Sequence, residues 1–154
     1  MIPFRRIVLA GAALLAAGSV AAGVTGAAAV KVRQSHMKAM GAAAKALGEQ
    51  FRSGAPDLAV IRVQAAHIDQ GARDLPNWFP AGSGPQPGVK THALPLIWSD
   101  PAGFKAKQQG LQLAAAKFNA AAAGGDMAAL GADFRAVGEA CKSCHDRFKS
   151  KDQG

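Results

Sequence analysis

A chain of 154 residues and 15.7 kDa has room for one domain with one small core, and it shows no internal repeat of 20 to 50 residues. Its formal charge is +8, which by itself would allow nucleic-acid binding. No DNA- or RNA-binding motif accompanies that charge, so no nucleic acid is expected, and an acidic protein partner or an anionic surface is the expected consequence.

Arg5 and Arg6 precede an uncharged run from Ile7 to Val30 that is rich in Ala, Gly, Leu and Val. This is the layout of a secretory signal peptide, with small-residue cleavage options around Ala22 and around Ala27 to Ala29. The expected division is a leader over residues 1–29 and a mature domain over residues 30–154, with the cleavage point left open. The alternative is an uncleaved anchor, because a run of that length could span a bilayer. Cleavage removes Arg5 and Arg6 and lowers the formal charge to +6.

Lys31 to Phe51 reads as the first helix, with Met37, Met40, Ala44, Leu47 and Phe51 at alternating steps of three and four on one face. Arg33 lies one turn before Met37 on the same side. Ser53-Gly54-Ala55-Pro56 breaks that helix. A second helix from about Asp57 to Arg73 carries Leu58, Ile61, Ala65, Ile68 and Ala72 at the same spacing, and His67 falls off the stripe toward solvent. From Asp74 to Asp100 the pattern dissolves into a proline-rich crossover. Trp78, Phe79, Leu94, Ile97 and Trp98 make this segment too apolar for a linker, so it should pack over an end or edge of the domain. His92 lies within it without a marked role.

Asp100-Pro101 reads as an N-cap followed by proline at the first helical position. The third helix then aligns Phe104, Leu111, Ala115, Phe118 and Ala122, and Gly124-Gly125-Asp126 supplies a stop and a new cap. The fourth helix is the most regular, with Met127, Leu130, Phe134, Val137, Cys141, Cys144 and Phe148 on one face. Four amphipathic helices in this order predict an all-α, antiparallel four-helix bundle.

The two cysteines of the chain, Cys141 and Cys144, are followed directly by His145. C-x-x-C-H is the attachment signature of a c-type haem: two thiols bond the haem vinyl groups as thioethers, and the adjacent imidazole reaches the iron. A structural zinc site would want a second pair of ligands at similar spacing, which is missing. A thioredoxin-type motif would sit beside a βαβ pattern, and a plain disulfide would leave His145 unexplained. One haem c attached on the core stripe of the last helix is therefore expected, in a compartment outside the cytoplasm, the periplasm.

A C-terminal C-x-x-C-H in a four-helix chain resembles the class II cytochromes c, the cytochrome c′ family. The resemblance covers essentially the whole mature chain. It is carried by Val137-Gly138 leading into Cys141-Lys142-Ser143-Cys144-His145 with Phe148 following, by Arg33-Gln34-Ser35-His36-Met37-Lys38, and by Phe79-Pro80 and Ile97-Trp98. It departs at Lys149, where many members have Arg. The resemblance implies that Arg33 and Gln34 are partners of the haem propionates. It also implies two options opposite His145. In the low-spin branch a methionine matching Met37 ligates the iron. In cytochromes c′ proper the distal side is closed by apolar packing, iron is five-coordinate, and NO or CO can bind.

The expected function is one-electron transfer in the periplasm with His145 and Met37 as axial ligands and Met40 as a substitute for Met37. The alternative is a gas-binding protein with a vacant sixth site, in which Met37 gates the distal pocket. Lys38, Lys142, Arg147, Lys149 and Lys151 could steer an acidic redox partner toward the haem edge. No nucleophile and base pair, paired carboxylates or second metal set is present, so an enzyme is not expected. Family members are often homodimers through their first two helices, which makes a homodimer one expectation here.

Overall fold

The computed structural model describes residues 26–86 and 88–151. The expected leader lies outside them up to residue 25. Four long helices form the bundle: α1 (Gly26–Arg52), α2 (Leu58–Asp74), α4 (Pro101–Gly124) and α5 (Met127–Phe148). A 3-10 turn (Leu75–Trp78) and a short helix α3 (Leu96–Ser99) lie in the crossover between α2 and α4. No strand occurs among the described residues; the crossover makes only isolated bridges.

The helix ends follow from local chemistry. Asp57 accepts hydrogen bonds from the Ala59 and Val60 amides, Asp100 from Gly103, and Asp126 from Ala128 and Ala129. Each cap satisfies donors that the first turn of a helix cannot pair internally. Gly125 ends α4 at φ 78°, a left-handed conformation that glycine adopts without a Cβ penalty. Arg62 of α2 then donates to the Ala122 and Ala123 carbonyls at 3.0 and 3.2 Å, so a cation closes the carbonyl end of α4.

Three pairings hold the bundle: α1 on α2, α2 on α4 and α4 on α5. Partner residues run in opposite directions along each pair. Arg62 meets Ala122 while Gln112 donates to the Ala72 carbonyl, which makes α2 and α4 antiparallel. The stripes expected from the 3-4 spacing form the core. Leu47, Ile61, Phe118 and Leu130 have no exposed surface, and each contributes about 1.5–3 kcal/mol by leaving water. Met127 is the exception: it heads the α5 stripe but lies in the first turn after the cap and is 37% exposed. Two buried carboxylates tie helix to helix. Asp69 accepts from Arg73 and from Asn119 of α4, and Asp133 of α5 pairs with Lys117 of α4 at 2.7 Å.

The fourth side of the bundle is different. α1 and α5 are joined at one end by Phe51 against Phe134, ring centroids 5.3 Å apart, backed by Phe118. Beyond that aromatic cluster they part, and their backbones make almost no close approach. The open end is covered by the crossover, where Phe79 meets Phe104 at 4.8 Å and Phe104 meets Phe148 at 5.1 Å, both edge to face. The Leu94 amide bonds the Phe148 carbonyl and the Ser150 amide the His92 carbonyl, which pins the crossover to the end of α5.

Because Asp126 caps the helix that carries both cysteines, Asp126→Ala should lower unfolding stability by about 1 kcal/mol. Urea titration should show a lower midpoint with an unchanged slope.

Candidate functional site

The splay of α1 from α5 encloses a cavity of about 700 Å³. On one side α5 lines it with Val137, Cys141, Cys144 and His145; on the other, α1 contributes Met37, Met40 and Ala44. Ile68 and Leu75 close the α2 side, Phe104 and Leu111 the α4 side, and Phe79, Ile97 and Phe148 belong to the covering cluster. Beside His145 and the thiols, Arg33, Gln34, Lys38, Thr91, His92 and Lys149 are the polar side chains of the lining, and no carboxylate is among them.

Both cysteines are free thiols, half-buried and one turn apart. Burial raises the Cys141 thiol above its ordinary range, opposed by a backbone hydrogen bond. Burial also raises Cys144, with Cys141 adding to the shift and Lys107 opposing it. Partial burial lowers the His145 imidazole, Lys149 lowers it further, and Asp146 acts the other way. His145 has substantial surface open to solvent, so that shift reflects the apolar wall beside the ring rather than enclosure. A neutral imidazole is the form that can bond a metal. Among the described residues no three His, Cys, Asp or Glu side chains come together as a group that could hold a metal ion.

These residues fit a covalently held haem. The thiols and imidazole of C-x-x-C-H all line one cavity whose wall is otherwise mainly apolar, as a largely apolar macrocycle requires. Cys141, Cys144, His145 and Met37, the residues singled out in the sequence, all line the same space. Met40, the substitute for Met37, is more deeply buried and seats on Gly71 of α2, where an added Cβ would fall 2.8 Å from its Sδ.

Arg33 and Gln34 also reach the cavity, but their side chains already serve the crossover. Arg33 is 3% exposed. Its Nη1 donates to the Trp78 carbonyl at 3.4 Å and to Ser83 Oγ at 3.0 Å; its Nη2 donates to the Ser83 carbonyl and to Thr91 Oγ1, both at 3.1 Å. The guanidinium also lies 4.7 Å over the Phe79 ring. Burial lowers its proton affinity, yet an arginine so far above neutrality stays charged. Gln34 Nε2 donates to the Lys90 carbonyl at 2.9 Å. Sequence reasoning missed Ser83 and Thr91, and nothing in their local sequence marks them as anchors for a residue 50 or more positions away. It also missed the stack of His36 on Trp78, centroids 4.6 Å apart.

The family model described as Cytochrome C′ matches residues 28–149. Cytochrome c′ of Rhodopseudomonas palustris is 35% identical over 120 residues, covering 77% of this chain and 80% of that protein. The crystal structure of cytochrome c′ from Rubrivivax gelatinosus superposes with a TM-score of 0.75 at 31% identity, over 82% of this chain and 98% of the other. A nitric oxide complex of a cytochrome c′ variant from Alcaligenes xylosoxidans superposes with a TM-score of 0.76 at 34% identity, over 84% of this chain and 99% of the other.

Two outcomes follow from the site. In chain that has not been matured with haem, alkylation of Cys141 and Cys144 by iodoacetamide should be slow near neutrality. Its rate should keep climbing past about pH 9, the ordinary thiol midpoint, because burial holds both thiols protonated. Arg33→Met should cost roughly 3 kcal/mol in urea unfolding, since several buried acceptors lose a charged donor together. Arg33→Lys should recover only part of that, for want of the planar fork.

Proposed function

This chain belongs to the cytochrome c′ family, and on that premise we propose that it is an exported haem c protein whose distal side is open to a diatomic ligand such as NO or CO. The observation that carries the reading is the cavity wall supplied by Met37, Met40, Ala44 and Ile68, which offers a gas an apolar chamber without a nitrogen or oxygen side chain. When bound, haem supplies an iron that can exchange an electron or take a small axial ligand.

The residues of the chain divide the remaining work. Cys141 and Cys144 would hold the group at two points on one helix, and His145 would supply a nitrogen ligand to its iron. The apolar wall keeps water out, so a neutral diatomic meets little competition for the distal side. Met37 narrows the approach as a steric gate. Arg33 and Gln34 are proposed to face the haem carboxylates while holding the crossover over the open end of the bundle. The Lys149 amide donates to the His145 carbonyl at 3.1 Å, which fixes the end of α5 directly behind the imidazole.

A second reading rests on one observation, that the Met37 thioether lies on the cavity wall and is itself a haem ligand type. Under it the protein is a one-electron carrier with His145 and Met37 as axial ligands, and Lys38 and Lys149 at the rim would steer an acidic redox partner. Neither reading makes the protein an enzyme. The proposed compartment is the periplasm, from the expected leader and the c-type attachment. A homodimer through α1 and α2 is proposed as well, with the exposed Val32 and Val63 as apolar groups it would cover.

Ferric holoprotein should give a high-spin absorption and EPR signature, and the ferrous form should bind CO and NO stoichiometrically. Met37→Leu should leave the spin state unchanged and alter only the rate of gas entry. A low-spin ferric spectrum that Met37→Leu converts to high-spin would establish the electron carrier instead.

A further inference from the structure

α1 presents two methionines to the haem cavity, Met37 and Met40, one turn apart. Both carry a thioether, and nothing in the local sequence tells one sulfur from the other. The fold does. Met37 is half-buried, whereas Met40 is 9% exposed and belongs to the core that α1 shares with α2. Ile68, Gly71 and Leu75 follow at steps of three and four on one face of α2 and the turn that continues it. Ile68 and Leu75 line the cavity, and between them Met40 lies across Gly71. A Cβ placed at Gly71 would stand 2.8 Å from Met40 Sδ, 2.9 Å from Cγ and 3.4 Å from Cε, the nearest heavy atoms outside the α2 backbone. Ordinary contact between nonbonded carbon atoms is about 3.5–4.0 Å, so a Cβ and the thioether cannot share that place. Gly71 lies inside α2 without a positive φ, so backbone geometry does not ask for glycine. Glycine in a helix interior is less stable than alanine. What the missing side chain provides is the recess that Met40 fills.

We infer that Gly71 is a positioning residue for the haem site: it seats the Met40 thioether against α2 and so holds a second sulfur out of the space a small ligand would use. A methyl group at position 71 is not absorbed at this crossing; Met40, alone or with its turn of α1, gives way. The neighbours leave it one direction. Ile68 is 2% exposed, Leu75 is 3% exposed and Ala72 has no exposed surface, so the α2 side is closed. The open volume beside Met40 is the cavity itself. Methionine is unbranched and reorients readily, so the added methyl turns Met40 from a wall of the chamber into an occupant. An occupied chamber has less room for a diatomic, and this occupant carries a sulfur of the haem-ligand type. The inference rests on the α1 wall facing the iron from the side opposite His145, a premise that both readings of the distal side share.

Ferrous holoprotein and carbon monoxide test it in a double-mutant cycle of Gly71→Ala, Met40→Ala and the two together. Gly71→Ala should slow CO binding roughly ten-fold, as expected for a methyl forced into a packed interior. In the Met40→Ala background the same change should leave the CO rate unaltered. Equal slowing in both backgrounds, or none in either, overturns the inference. Urea midpoints of the four holoproteins should show the matching coupling, with Gly71→Ala lowering the midpoint only where Met40 is present. Should Gly71→Ala fail to fold, the ferric holoprotein with its own Gly71 decides, through NMR of labelled methionine methyl groups. The Met40 methyl should be less broadened by the iron than the Met37 methyl, and the reverse order overturns the inference. A ferrous holoprotein that takes up no CO overturns the open distal site proposed above. The methyl signals then still decide the place of Met40 on their own.

Discussion

Everything in this bundle depends on α1 and α5 being kept apart. A four-helix bundle ordinarily closes all four sides, because each amphipathic stripe needs an apolar partner. Here three sides close by direct packing, and the fourth closes only at the Phe51–Phe134 end. The stripe of α5 continues past that contact through Val137, Cys141, Cys144 and Phe148. Its outer half therefore faces a cavity instead of a helix. The same periodicity that builds the core thus delivers two thiols to the wall of a chamber, so that the C-x-x-C-H motif and the packing share one face.

Such a gap needs a roof, and the crossover supplies it with few regular hydrogen bonds of its own. Its aromatic residues interlock edge to face with Phe104 and Phe148, while Arg33 gathers three separate points of the segment, Trp78, Ser83 and Thr91, around one buried cation. A buried charge is costly unless its donors are used. The four terminal contacts and the stacked Phe79 ring are what make this position tolerable. At the far edge the backbone of residues 92–94 pairs with the end of α5, so the roof is fastened to both helices that it bridges.

How much of this was legible in the sequence follows from which contacts are local. Helix faces, caps and the attachment motif depend on neighbours within a few residues, and Leu130, Val137, Asp100 and Asp126 all sit where spacing and capping chemistry put them. The start of α1 was misjudged because an Ala-Gly run has no polar contrast for periodicity to act on, and because the same run reads as a leader. α3 was missed because four residues inside a proline-rich stretch give no period at all. The partners of Arg33 lie 45 to 58 positions away, so only the fold could name them. For the same reason the sequence, in which the family resemblance implied a propionate role for Arg33 and Gln34, gave no sign that they anchor the roof.

The distal chemistry cannot be reduced to the identity of residue 37. Met37 stands on a helix whose distance from α5 is set elsewhere, chiefly by its seat on α2. That seat includes small groups: Met40 lies directly on Gly71, and Ala43, Ala65 and Ala72 belong to the same buried cluster. Interiors are close-packed, so a methyl added at such a crossing moves a helix rather than being absorbed. A thioether reaches an iron only within a narrow range of helix separation, and the same separation decides whether a diatomic has room to enter. Whichever of the two proposed readings holds, its geometry would depend on the α1–α2 interface. There Gly71, which has no Cβ, leaves the space that Met40 of α1 occupies.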